Sequence, residues 1–171
     1  DLKIARGEHR LFGAGTVRVP GHEVVGDVVR TGDGGDQSAH PGDRVVVAPN
    51  IGCGACAACR SGRSNLCADY EAMGLTFDGG FAEYVRVPSA AVQQGNLLPA
   101  PHQIDPVALT LVEPLAAVLR GAQAAATGEG SVVAICGAGP IGLLHTMVSR
   151  LRGAERVIVS EPSPQRSAQA I

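Results

Sequence analysis

Residues 53–67 read CGACAACRSGRSNLC, and they hold four of the chain's five cysteines at the spacing C-x2-C-x2-C-x7-C. Two-residue gaps let a tight turn aim neighbouring sulfurs at one point. Four thiolates at about 2.3 Å from zinc then close a tetrahedral site. Gly52, Gly54 and Gly62 are expected to supply the positive φ angles of that turn. Cys53, Cys56, Cys59 and Cys67 leave no coordination position open, so the metal they imply holds structure and does no chemistry. It would tie down a surface lobe, about residues 50–70, that has little apolar content of its own. Two disulfides and an iron–sulfur cluster are the competing readings. Against them, no apolar signal region opens the chain, and bacterial ferredoxin runs use a different final gap with a proline after the last cysteine.

Around this loop lies a chain of 171 residues, 45% hydrophobic, with net charge −2. That length suits one domain or a little more. The charge offers no basic surface to nucleic acid. No apolar run reaches the roughly 20 residues of a membrane helix. The expectation is a cytoplasmic globular protein with no nucleic-acid or membrane partner. Without tryptophan, its core falls to Val, Ala, Leu and Ile.

Residues 1–20 show no clear period. Residues 21–30 form a β-branched run read as a strand, 31–41 a glycine-rich turn, and 43–48 a second strand. After the cysteine loop, residues 80–87 alternate as a half-buried strand should. Short extended pieces near Ala91 and Leu97 complete a small β barrel or sandwich. At Asp105 the character changes: an N-cap precedes Pro106 in a first helical turn. Pro114 should break or restart the helix, leaving Glu113 at a junction, and residues 114–126 read as an alanine-rich helix. The order then becomes strand (131–136, read as buried), helix (140–152) and strand (156–160), with a new helix capped by Ser163. Two strands do not finish a parallel sheet. The domains expected are 1–104, a β-rich unit with the cysteine lobe; 105–127, connecting helices; and 128–171, the first β-α-β unit of an incomplete nucleotide-binding domain.

Gly137, Gly139 and Gly142 fit G-x-G-x-x-G between a strand and a helix, the context in which the motif binds a dinucleotide pyrophosphate. Pro140 and Ile141 complete the turn. Phosphate would lie at the helix N-terminus, where free N–H groups favour anions. Glu161 ends the second strand near the position where an acid takes the ribose hydroxyls and repels a 2′-phosphate, so NAD is favoured over NADP. Arg166 works in the opposite direction.

His22-Glu23 lies where a glycine turn enters a strand, and Glu113 offers another carboxylate. Together with Gly26, the run 42–45 (GDRV), the cysteine lobe, the run 79–84 (GGFAEY), the run 113–116 (EPLA) and the glycine fingerprint, this order resembles the zinc-containing medium-chain alcohol dehydrogenases along essentially the whole chain. Glutamate at 113 is similar to the polyol (sorbitol-dehydrogenase-like) branch.

The resemblance implies an α/β protein with a GroES-like β barrel followed by a truncated Rossmann domain, the two flanking a cleft. It implies a catalytic zinc near His22, with Glu23 and Glu113 binding directly or through water, and Asp1 as the acid that orients the histidine. The family's cysteine ligand and proton-relay hydroxyl would fall just upstream of residue 1, so the chain is expected to be a fragment, inactive alone. The parent activity implied is NAD-linked oxidation of a secondary alcohol, a polyol or sugar-like small molecule, by a homo-oligomer. A threonine-type or simple alcohol dehydrogenase is the alternative within the family. A non-catalytic, zinc-stabilised nucleotide-binding module is the alternative outside it.

Overall fold

The computed structural model describes residues 1–169 except 10, 11, 13, 14 and 33–38. Most of the turn expected at 31–41 lies outside the described residues. The chain divides into two compact units, Asp1–Glu113 and Pro114–Ile171.

The first unit opens with a single helical turn, α1 (Leu2–Ala5), followed by β1 (Val24–Asp27) and β2 (Arg44–Val47). A two-stranded ribbon of β3 (Asn50–Ile51) and β4 (Glu71–Ala72) brackets the cysteine lobe, which contains α2 (Ala57–Arg60) and a 3-10 turn (Ser64–Leu66). Then come α3 (Ser89–Gln93), β5 (Leu97–Pro99) and α4 (Pro106–Leu109). β1, β2 and β5 form an antiparallel sheet with β2 in the middle. Its central position explains the uninterrupted valines of β2: Val45, Val46 and Val47 are all buried, as a strand covered on both faces requires. Across the outer pair, Arg44 grips Asp27 with two hydrogen bonds of 2.8 and 3.1 Å, in register. Val24, Val45, Val47, Ile51, Met73 and Ala91 make the core.

Three expectations fail locally. Among the described residues no closed barrel forms, only the sheet and the ribbon. Among the described residues, 80–87 find no ladder partner. Val85 and Val87 still pack on the core, so the alternation marked the inward face of an extended segment and not a paired strand. Ala91 is helical, in α3, and completely buried there.

Asp105 caps α4, its Oδ1 accepting the Val107 N–H at 2.9 Å. Pro114 does not break the chain's helix. It falls in the first turn of α5 (Val112–Ala124), where an absent N–H costs nothing, and Glu113 lies inside the helix. Residues Pro106–Ala124 are long and apolar enough to cross a membrane by composition, with mean hydropathy 1.3. They carry Glu113 and Arg120, however, and are interrupted between α4 and α5.

In the second unit, Val118 and Ala122 of α5 pack on Val148, with Leu115 and Leu144 around them. Val148 belongs to α6 (Pro140–Leu151), which connects β6 (Val132–Cys136) to β7 (Arg156–Ser160). The two strands are parallel, from Val132 beside Arg156 to Cys136 beside Ser160. β6 is not the buried strand its composition implies. Only Ile135 is buried, and Cys136 is exposed, because two strands leave much of their surface uncovered. A last turn, α7 (Pro164–Ser167), is capped by Ser163.

Candidate metal centres and nucleotide loop

All four sulfurs of the cysteine lobe lie within 4.8 Å of one another. Cys56 Sγ is 3.5 Å from Cys59 Sγ and 3.8 Å from Cys67 Sγ. A tetrahedron with Zn–S bonds of about 2.3 Å has S···S edges of about 3.8 Å, so the thiols match the size of a zinc site. Gly54 and Gly62 have φ of +76° and +71°. Gly52 does not need a positive φ; its glycine is required because a Cβ there would stand 2.5 Å from Cys59 Sγ. The backbone N–H groups of Ala55 and Cys56 pull the Cys53 thiol down to about 7, close to thiolate at neutral pH. Burial and the neighbouring Cys56 thiol push Cys59 up to about 11. Such a thiol ionises at neutral pH only when a cation takes the proton's place.

A second cluster gathers His22, just ahead of β1, its neighbour Glu23, and Glu113 from the first turn of α5. Their donor atoms also lie within 4.8 Å of one another. His22 Nδ1 is buried without a hydrogen-bond partner among the described residues, and Asp1 Oδ1 stands 3.8 Å from it. Asp1 Oδ1 also accepts the Gly21 N–H at 3.3 Å. One imidazole and two carboxylates suit a borderline divalent ion such as zinc, and a carboxylate behind the histidine is the usual way to orient the ring. The donors present therefore fit a catalytic metal. Tyr70, which the sequence does not single out, feels this cluster. Its phenol is raised above the ordinary value by burial and then by the Glu113 charge. Its hydroxyl donates to Asn50 Oδ1. No spacing pattern marks a lone tyrosine of this kind.

In the second unit, Gly137 takes φ +99° at the turn leaving β6. A Cβ on Gly142 would lie 2.0 Å from Gly137 O, while one on Gly139 would meet nothing within 4 Å. The loop is thus tight where it packs and open at the start of α6, the place for a phosphate. Glu161 turns towards this loop. Its Oε2 accepts the Ala138 N–H at 2.9 Å, and its Oε1 accepts from Ser163 N–H and Arg166 Nη2, both at 2.8 Å. Arg166 is thereby tied to Glu161. Pro140 and Ile141 open α6. These residues fit a dinucleotide.

The alcohol dehydrogenase GroES-like domain family matches residues 1–99. L-galactonate-5-dehydrogenase of Escherichia coli K12 is 41% identical over 149 residues, 87% of this chain and 42% of that protein. L-threonine 3-dehydrogenase of Pyrococcus horikoshii is 42% identical over 149 residues, 87% of this chain and 41% of that protein. A Sinorhizobium meliloti 1021 structure assigned as a zinc-binding dehydrogenase and bound to NADP superimposes with a TM-score of 0.85. It has 40% identity, covering 95% of this chain and 46% of that one. The chain thus spans less than half the length of the relatives it matches. With that family matched across the sheet and the cysteine lobe, the chain belongs to the zinc-containing medium-chain alcohol dehydrogenases.

Proposed function

We propose that these residues serve a zinc-dependent, NAD-linked dehydrogenase that oxidises a secondary alcohol of a polyol or sugar-like substrate to a ketone. One observation carries the reading: an imidazole and two carboxylates, from two separate stretches of chain, converge within 4.8 Å. His22, Glu23 and Glu113 would hold the catalytic ion, and Cys53, Cys56, Cys59 and Cys67 a structural one. When bound, zinc supplies a Lewis acid that lowers the pKa of a substrate hydroxyl, and NAD supplies the hydride acceptor.

The chain's own residues bind and orient. Asp1 holds the backbone ahead of His22 and stands 3.8 Å from its Nδ1, where it would favour a proton on that nitrogen and leave the other for the ion. Gly137, Gly139 and Gly142, with Pro140 and Ile141, shape a seat for the pyrophosphate. Glu161 would take the ribose hydroxyls, which leaves no room beside it for a 2′-phosphate. Arg166 is held on Glu161 at 2.8 Å, so each charge offsets the other. NAD is therefore preferred, although the Sinorhizobium relative holds NADP.

In domain terms, we assign residues 1–104 to a GroES-like catalytic unit, 105–127 to connecting helices, and 128–171 to the opening of a Rossmann domain in a cytoplasmic homo-oligomer. A threonine-type dehydrogenase is the second reading, favoured by the 42% identity to the Pyrococcus enzyme. The test is reduction of NAD and NADP by the protein that carries these residues, against a panel of polyols, sugar acids and threonine. Turnover of a polyol or sugar acid with NAD supports the first reading, and of threonine alone the second. No turnover of any secondary alcohol, with both metals bound, leaves a nucleotide-binding module.

A further inference from the structure

His22 and Glu23 precede β1, so no sheet ladder holds them. One loop does so, by hydrogen bonds ahead of the pair and by packing behind it. Asp78 Oδ1 accepts the Val19 N–H at 3.1 Å. Gly79 N–H donates to Val19 O at 2.7 Å, Gly80 N–H to Gly21 O at 3.0 Å, and Phe81 N–H to Pro20 O at 3.1 Å. The approach leaves no room for side chains. A Cβ on Gly79 would lie 2.0 Å from Gly21 O, and one on Gly80 would lie 2.7 Å from Val24 Cγ2. Residues 19–21, ahead of the histidine–glutamate pair, are therefore hydrogen-bonded to these four residues, and Val24, behind it, packs against Gly80.

We propose that the 78–81 loop is the template that sets the position of His22 and Glu23 in the metal site, and that Asp78 is a positioning residue for it. The inference rests on the reading of His22, Glu23 and Glu113 as metal ligands. Asp78 is not itself one of the convergent donors. It acts through the backbone at Val19, three residues ahead of the histidine. Metal affinity depends steeply on the placement of ligands, and loss of a group that orients one costs about 10- to 100-fold. The Asp78 side chain is 65% exposed, so its removal should leave the fold standing while loosening the pair.

Cobalt(II) distinguishes the two sites, because thiolate ligands give an intense charge-transfer band that imidazole and carboxylate do not. In the purified chain, Asp78→Ala is expected to weaken cobalt binding at the non-thiolate site about ten-fold or more, with the thiolate band unchanged. Asp78→Asn should restore binding, since its amide oxygen can accept the same N–H. Wild-type affinity in Asp78→Ala overturns the proposal, as does an Asp78→Asn variant as weak as the alanine one. Loss of the thiolate band as well would show that the loop supports the whole unit and not the pair, which also overturns it. A wild-type chain that takes no cobalt outside its thiolates even at millimolar metal, where the three donors should still bind without the upstream cysteine, overturns the metal reading itself, an outcome distinct from all of these.

Discussion

Glu161 accepts the backbone N–H of Ala138 at 2.9 Å, joining the end of β7 to the glycine turn after β6 across 23 positions of sequence. Ser163 and Arg166 hold the other carboxylate oxygen, and the side chain is only 3% exposed. Three of about four acceptor positions on an ionised carboxylate are thus used inside the protein. The acid is therefore a brace for the loop, and in the NAD reading proposed above a ribose hydroxyl would have to share it.

Acid sensitivity follows from this brace. Chiefly through the Arg166 guanidinium, then through the Ala138 and Ser163 N–H groups, Glu161 is lowered from 4.5 to about 2. Its folded value lies below its unfolded one, so its stabilising contribution is complete above about pH 4.5 and is lost as pH falls towards 2. Glu161→Gln should flatten the stability–pH curve in that window, as followed by circular dichroism. Identical acid profiles for the two proteins would refute the brace.

Gly139 and Gly142 should separate stability from binding. A Cβ at Gly142 collides with Gly137 O, and such overpacking costs about 1–3 kcal/mol in urea unfolding. At Gly139 a Cβ meets open space and φ is −74°, so Gly139→Ala should unfold like wild type. In the dinucleotide reading proposed above, that methyl would occupy the approach of the pyrophosphate. Reduced-dinucleotide fluorescence should therefore show weakened binding in Gly139→Ala despite intact stability. Unimpaired binding would remove the phosphate from this turn.

The cysteine lobe yields a metal prediction. Cys59→Ser should lose the tightly held zinc, with metal analysis falling by about one ion per chain. Because metal binding and local folding are coupled, protease should then nick the segment between Cys53 and Cys67. Gly52→Ala should do the same more weakly, since its Cβ would crowd Cys59 Sγ. Unchanged zinc content in Cys59→Ser would return the disulfide or cluster alternatives.

Spacing made the cysteine lobe and the glycine fingerprint legible in the sequence, because each is a local arrangement whose partners lie within a few residues. The donors of the second cluster were legible only by resemblance. Nothing in the spacing from His22 to Glu113 announces that they meet. The 80–87 segment misled because period-two alternation reports which side chains face inward, and an unpaired extended chain satisfies that as well as a ladder does. Pro114 misled because its effect depends on where the helix begins. Two residues into α5 it is harmless, although the same proline mid-helix would have ended it. Asp78 stayed hidden because its hydrogen-bond partner is a backbone N–H, which carries no residue identity to recognise, and its ion-pair partner Arg18 lies 60 positions away.

Tyr70 offers a reporter for the second cluster that does not depend on turnover. The chain has two tyrosines, and Tyr84 is exposed, so a Tyr84→Phe background isolates the Tyr70 phenol in ultraviolet titration. Burial is the larger cause of its raised value and should persist in every variant. The Glu113 charge is the second cause, and it disfavours phenolate by like-charge repulsion. Glu113→Gln should therefore shift Tyr70 towards its ordinary value. Addition of zinc should shift it in the same direction, because an ion bound to Glu113 cancels that charge. In Glu113→Gln the effect of zinc should shrink, since the charge it would cancel has already gone. If zinc moved Tyr70 equally with and without the Glu113 carboxylate, the ion would be acting from elsewhere and Glu113 would not be one of its ligands.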